Sequence, residues 1–571
     1  MPTSTTLDGP HVLHEDDEAD RRSGAPRARG ITRLLRGRAS WIVLFVVLFG
    51  MSLIVDPLSS LGSDVGGKTA TMTVLSSNGS LDLGYWAEAF DPDGSLYPFY
   101  STSVMDGKWV NATTFPMLYL AWPLHELGGM HLAMILPVLG GVFTATAARR
   151  LAAMLGPTDG TVAFWIVGLG TPVTVYSLAF WEHAPGLALM SWGLVAVVTA
   201  VDNHRLAPAL AAGLLFGLAA TMRQEALVYG ALAGIGLVIG LATTARPLVM
   251  LRSSIAMATG GLAMLMANTV FERLVLGSVL RSSRAGGTAS LAGTKLDARL
   301  HDALVTLLVP SDVRPAGIAL GLLLLLGTVV LVRSGRTIAE QRPVVAMVVL
   351  PLLMVVLAAL ADGRSFVPSL LFSTPLVVVG AIVGWGDGRS RALSIYAVVA
   401  IPSILAVQST GGFEAQWGGR YLLLSGWVLT VIACARRHRV ERSSWALMVG
   451  ASLVITALGV AWTVERSRAM GDFYATIASF DAPVVVFDSS LTARGAGSIA
   501  LDQPMLAAAD APARDEAAQL LAEAGVASFL FVAPDLGGAA PTFDGFTEVE
   551  AATVDFVSGL DYRVGTFAPQ G

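Results

Sequence analysis

Apolar runs of about 17–22 residues recur along most of the chain, separated by short polar connections, and a run of that length crosses a bilayer as a helix. Roughly thirteen such segments fit. They lie at about 41–56, 130–148, 160–179, 185–201 and 206–221, then in a sixth segment ending before Arg246, and at about 254–271. Four more end near Arg333, Asp362, Asp387 and Gln408, a twelfth runs from Arg420 to Arg436, and the last covers about 445–463. Two polar stretches interrupt the series, 57–127 and 272–315, and the pattern changes again after Glu465. There Val484–Phe487 and Ser528–Val532 read as buried strands, and Ala513–Gly525 carries helical spacing. The predicted fold is an all-α polytopic membrane protein of about thirteen transmembrane helices with a small C-terminal α/β domain. Its divisions are a disordered tail over 1–38, a membrane domain over 39–465 with a long first loop at 57–127, and the α/β domain over 466–571.

Charge gives this pattern a direction. Arg33–Arg38, Arg149–Arg150, His204–Arg205, Arg246–Arg252, Arg333–Arg342, Asp387–Arg391 and Arg436–Arg442 fall on alternate connections, all on one side of a thirteen-helix count. Basic connections of this length stay in the cytoplasm. The expected protein is therefore a multi-pass plasma-membrane protein with a cytoplasmic N-terminus and an extracytoplasmic C-terminal domain. Residues 1–30 are polar and mixed in charge, and no small-residue cleavage site follows the first apolar run, so that run reads as a permanent anchor. Composition agrees: 54% of the residues are hydrophobic and 14% charged, against roughly a quarter charged in a soluble protein. Nucleic acid is excluded as a partner, and with Cys434 as the single cysteine no intramolecular disulfide forms.

Polar chemistry concentrates at one end of the predicted helices. The string Gly62-Ser63-Asp64-Val65-Gly66-Gly67-Lys68-Thr69 matches a phosphate-binding loop in letters only, because a membrane segment precedes it and no nucleotide domain surrounds it. Asp64 instead stands just beyond the first membrane helix, where a carboxylate can deprotonate an acceptor hydroxyl. Lys68 is one helical turn on, placed for a phosphate. The first loop then interleaves Tyr85, Trp86 and Trp109 with Asp82, Asp91, Asp93 and Asp106, a mixture suited to a sugar's apolar faces and hydroxyls. Asp91 and Asp93 read first as turn residues, by their Asp-Pro and Asp-Gly pairs. Glu182 and His183 follow Trp181 at the end of the third helix, and Arg223 with Glu225 fills the turn between the fifth and sixth. Charges there need partners or surface, and an arginine at the interface can bind a lipid phosphate through its planar fork. Trp417-Gly418-Gly419-Arg420-Tyr421 opens the twelfth segment with a cation at a helix start, which calls for an anion, a phosphate or Glu414.

Taken together, these residues resemble the GT-C superfamily of membrane glycosyltransferases, which includes protein O-mannosyltransferases and lipid A aminoarabinose transferases. The resemblance rests on Asp64 after the first helix, on Phe115–Leu118 with Trp122-Pro123 and Gly128-Gly129, and on Gly213–Ala219 running into Arg223. It implies a polyprenyl-phosphate sugar donor, a glycan or protein acceptor, membrane lipid as surroundings, and inverting displacement at the anomeric carbon. On that basis Asp64 is the expected catalytic residue. Lys68, Arg223 and Arg420 are the expected ligands of the donor phosphate, and Asp106, Glu182, His183, Glu225 and Trp417 the expected substrate contacts. No cofactor is expected and no divalent metal is required. Two departures are visible: Asp64 lacks an adjacent second acid, and arginine rather than lysine ends the fifth helix. The rival expectation is a transporter or flippase, which calls for ionisable residues at mid-membrane rather than at helix ends.

Overall fold

The computed structural model describes residues 37, 39–58, 63–111, 115–158, 160–243, 247–279, 296–309, 315–361, 367–407, 417–537, 541–556 and 561–570. The N-terminal tail and the stretch 280–295 lie outside the described residues. In chain order the helices are α1 (Ser40–Ser52), α2 (Ser63–Asn78), α3 (Phe115–Ala133), α4 (Ile135–Leu155), α5 (Thr161–Leu169), α6 (Pro172–Ser177), α7 (His183–Asn203), α8 (Leu206–Met222), α9 (Glu225–Thr243) and α10 (Pro247–Leu276). They continue as α11 (Leu296–Leu307), α12 (Pro315–Ser334), α13 (Arg342–Ala361), α14 (Leu370–Ser373), α15 (Leu376–Val383), α16 (Gly388–Val407), α17 (Leu423–Ala435) and α18 (Arg442–Ala478). Among the described residues seven helices are long and apolar enough to cross a membrane, five shorter ones are apolar throughout, and α5 with α6 makes a broken pair. All thirteen apolar stretches are helical, and the molecule is a multi-pass membrane protein.

Local chemistry explains the breaks. Pro172 has no N–H to donate and disfavours helical backbone in the residue before it. The α5 helix therefore stops at Gly170, and Thr171 caps α6 by accepting a hydrogen bond from the Val173 N–H at 3.3 Å. Within the bundle, small residues bring backbones together. A Cβ on Gly213 of α8 would lie 1.9 Å from the Met257 carbonyl oxygen of α10, and one on Gly260 would lie 2.5 Å from the Leu210 carbonyl oxygen.

Above one end of the bundle stands a head built from two distant parts of the chain. The first loop contributes α2, the hairpin β1 (Thr102–Met105) and β2 (Lys108–Asn111), and α3. The tail contributes β3 (Val485–Phe487), α19 (Ser490–Gly495), β4 (Met505–Ala507), α20 (Ala511–Glu523), β5 (Phe529–Pro534), β6 (Phe546–Asp555) and β7 (Asp561–Pro569). Its sheet runs β4-β3-β5-β7-β6, parallel among the first three strands and antiparallel beyond. The two parts share cores: Tyr97, Phe99 and Trp109 of the loop pack with Phe473, Tyr474, Phe487 and Val532. Ala507 N–H donates to the Leu96 carbonyl at 2.9 Å, and Trp86 Nε1 to the Met505 carbonyl at 3.1 Å. The last helix is the strut between the levels. Trp462 packs inside the bundle, while Met470, Phe473 and Ile477 of the same helix pack inside the head, so helix continues well past the boundary expected near Glu465.

Candidate functional site

The polar ends of several elements converge where the head meets the bundle. On α2, Asp64 and Lys68 are four residues apart and so share a face. Lys68 Nζ pairs with Glu182 Oε2 at 3.0 Å. Glu182 immediately precedes α7. Its other oxygen meets Arg223 Nη1 at 3.3 Å, and Arg223 Nε pairs with Glu225 Oε1 at 2.8 Å. Arg223 follows the last turn of α8 and Glu225 begins α9, so each charge sits at the helix end whose dipole favours it. The chain is extended at Arg223 (φ −134°, ψ 121°), which throws the two side chains to one side.

Arg420 enters from a 3-10 turn, Arg420–Leu422, behind Gly418 and Gly419, both at φ +67°. That left-handed backbone favours glycine, and a Cβ on Gly418 would also strike Pro172 at 2.2 Å. The Arg420 guanidinium lies over the rings of Tyr421 and Trp181, at 4.6 and 5.7 Å from their centres, and Arg223 lies 5.1 Å from Tyr421. His183 stacks on Tyr176, with ring centres 4.8 Å apart, and lies tilted against Trp181 at 4.4 Å.

Several buried atoms in this cluster have no hydrogen-bond partner among the described residues: Arg223 Nη2, Glu225 Oε2, Trp181 Nε1 and both ring nitrogens of His183. Unpartnered buried donors cost stability unless a ligand or water meets them. Asp64 is less enclosed than its neighbours, with 37% of its side chain exposed. Burial by itself raises its carboxyl, but Arg494 first, then Lys68, Arg420 and Arg223, outweigh that and hold it well below the usual carboxylate range. Lys68 is pulled below the usual ammonium range, chiefly by burial, with Glu182 and Asp64 opposing. No group of three or more His, Cys, Asp or Glu side chains stands together as a metal site among the described residues.

Neither a family model nor any curated protein matches the sequence. Among solved structures the chain is similar to the archaeal oligosaccharyltransferase AglB from Archaeoglobus fulgidus, solved with an inhibitory peptide and a dolichol-phosphate. Identity there is 11% and the TM-score 0.41, over 86% of this chain and 69% of that one. It is also similar to ArnT from Cupriavidus metallidurans in the apo state, at 15% identity and TM-score 0.41 over 92% of this chain and 98% of that one.

Of the residues singled out in the sequence, Asp64, Lys68, Glu182, His183, Arg223, Glu225 and Arg420 form the cluster. Trp417 stands behind it, buried against Trp462 at 5.5 Å, its carbonyl accepting from Tyr176 Oη at 2.9 Å. Asp106 is at the exposed tip of the β1–β2 hairpin with φ 52°, beside Gly277, and touches none of these residues in the described contacts. The loop aromatics are likewise used within the head: Tyr97 stacks on Trp109 at 4.5 Å, and Asp91 accepts from Tyr85 Oη at 2.8 Å and from the Leu96 N–H at 3.0 Å.

Two features escaped the sequence reading. The glycines of the nucleotide-like string serve close packing: a Cβ on Gly66 would lie 2.1 Å from the Arg494 carbonyl oxygen, and one on Gly67 2.8 Å from Arg494 Nε. Arg494 itself, on α19, pairs with Asp64 Oδ1 at 2.6 Å. No spacing links two residues 430 positions apart, and a six-residue helix carrying one arginine gave no signal of its own.

Proposed function

We propose that this protein transfers a hexosyl or pentosyl unit from a polyprenyl-phosphate-linked donor to an acceptor hydroxyl at the outer face of the plasma membrane. The observation that carries the reading is the buried cation cluster with an unpartnered donor, Arg223 Nη2, beside the less enclosed carboxylate of Asp64. Cations gathered around unmet donors suit a phosphate, and guanidinium binds phosphate by its planar fork. The acceptor oxygen attacks the anomeric carbon with inversion, and the carbon–oxygen bond to phosphate breaks. The phosphate leaves with the electron pair, stabilised by Arg223, Arg420 and Lys68, and the acceptor proton passes to Asp64. Because Asp64 is held in its ionised form, it is ready as an acceptor throughout the neutral range. Asp64, Lys68, Glu182, Arg223 and Glu225 come together where the head meets the bundle, which suits a one-sided interfacial reaction.

The test is turnover by purified protein in lipid with a panel of radiolabelled polyprenyl-phosphate sugars, supplied with glycan and peptide acceptors. Release of polyprenyl phosphate that depends on Asp64 is the expected result. A panel without a single turned-over donor would sink the proposal.

A further inference from the structure

The Asp64–Arg494 pair is lopsided. The Arg494 side chain is 6% exposed and that of Asp64 37%. Nη1 takes Asp64 Oδ1 at 2.6 Å and Nη2 takes Asn111 Oδ1 at 3.1 Å. The Asn111 amide is itself oriented, donating to the Tyr100 carbonyl at 3.1 Å and the Thr102 hydroxyl at 3.0 Å. The backbone behind the arginine is fixed too. A Cβ on Gly66 would meet the carbonyl oxygens of Arg494 and Gly495 at 2.1 and 2.7 Å, and one on Gly497 would meet the Gly66 carbonyl oxygen at 1.8 Å. Two backbones in such contact fix where the arginine side chain starts, and its hydrogen bonds to Asp64 and Asn111 fix where the guanidinium ends. It is a built-in fork on the buried side of the carboxylate, not a surface arm.

We propose that Arg494 is a positioning residue for Asp64: the C-terminal domain clamps one carboxylate oxygen and so presents the other, Oδ2, to the acceptor hydroxyl. The acceptor part of this inference rests on the sugar-transfer reading, whereas the clamp rests on geometry alone. It gives the C-terminal domain a part in the chemistry, since transfer then depends on α19 being docked against α2. The groups facing Asp64 are Arg494 from α19, Lys68 from its own helix, Arg223 and Arg420 from the bundle, and the opposing carboxylate of Glu182. Among the cations Arg494 acts most strongly, so its removal should be the change Asp64 registers.

The experiment uses full-length protein in lipid, as wild type, Arg494→Gln, Arg494→Lys and Gly67→Ala, with Asp64→Asn to assign the infrared carboxyl band. Titrating that band reads Asp64 directly and needs no substrate. Arg494→Gln should move its titration up by about one to two pH units. Arg494→Lys should move it less, since the charge stays and the fork is lost. Gly67→Ala should move it upward as well, because the new methyl would crowd Arg494 Nε and Asn111 Oδ1, each 2.8 Å away. With whichever panel donor turns over, the acid limb of the rate profile should shift with the band. The maximal rate should fall about tenfold or more while donor KM holds. An unchanged band and rate profile in Arg494→Gln, with only a lowered melting temperature, would reduce Arg494 to a domain-docking contact and overturn the proposal. Absence of turnover in the wild type overturns the sugar-transfer reading instead, and the infrared titration still decides the clamp.

Discussion

At the scale of single residues, Asp64 and Arg223 illustrate two kinds of buried charge. Asp64→Asn keeps the shape of the side chain and still offers Arg494 an oxygen, so the fold should survive while transfer is abolished. Near-normal turnover by well-folded Asp64→Asn protein would refute the assignment. Arg223 is a more demanding case because it is both a brace and a candidate ligand. It bridges Glu182 and Glu225 with two of its nitrogens, and a third is unpartnered. Arg223→Ala leaves buried Glu225 without its cation, while Glu182 keeps Lys68, at a cost on the order of 3–5 kcal/mol for a broken buried pair. If the third nitrogen also holds donor phosphate, the surviving protein should bind donor roughly ten- to a hundredfold more weakly. Thermal melting and donor binding on one preparation separate these effects, and intact affinity with lost stability would leave Arg223 a brace only. Arg223→Lys should recover part of each, as charge without the fork.

At the scale of elements, close packing and burial set the expectations. The α8–α10 contact depends on glycine, since a side chain on Gly213 meets backbone 1.9 Å away. Gly213→Leu should force the helices apart and lower the melting temperature by more than a leucine at the open Gly234 position, where nothing lies within 4 Å. Equal effects at the two sites would show that the contact is not tight. In the tail, Asp488 follows β3 with a buried oxygen lacking a hydrogen-bond partner among the described residues, and burial, only partly offset by Arg514, pushes its carboxyl up to about 6. A raised carboxyl binds protons more readily in the folded state than in the unfolded one. Stability from this group is therefore full below the ordinary carboxylate range and declines as pH rises to about 6. Asp488→Asn should accordingly strengthen hydrogen-exchange protection of β3 at about pH 8, by on the order of 2 kcal/mol, and change nothing at about pH 4. Equal gains at both values would mean that burial of the charge is not the cause.

For the molecule as a whole, the head is continuous with the bundle through α18 and the site lies at their junction. Conformation in the tail therefore bears on chemistry at α2. The basic connections predict an orientation that reporters can check: one placed after Arg439 should face the cytoplasm, and one at the C-terminus the opposite side. Both reporters on one side would break the thirteen-helix arrangement and the outer-face location together.

The sequence by itself determined the thirteen apolar stretches, the α/β tail and the Asp64–Lys68 face, because hydrophobic length and helical spacing are local quantities. It also marked Glu182, Arg223 and Glu225, since charges at the ends of apolar helices are few and must be satisfied. Only the tertiary structure decided which of these meet. Glu182 joins Lys68 to Arg223 across three elements, whereas Asp106, equally promising in its aromatic-rich loop, stands at a hairpin tip. The head's second half was out of reach for the same reason: packing the loop against the tail follows from shared apolar burial between Tyr97, Trp109 and Phe473, which no local pattern encodes. Arg494 shows the limit most plainly, since an ordinary arginine on a short helix gains its role only when two glycine-bearing backbones meet and bring its guanidinium to Asp64.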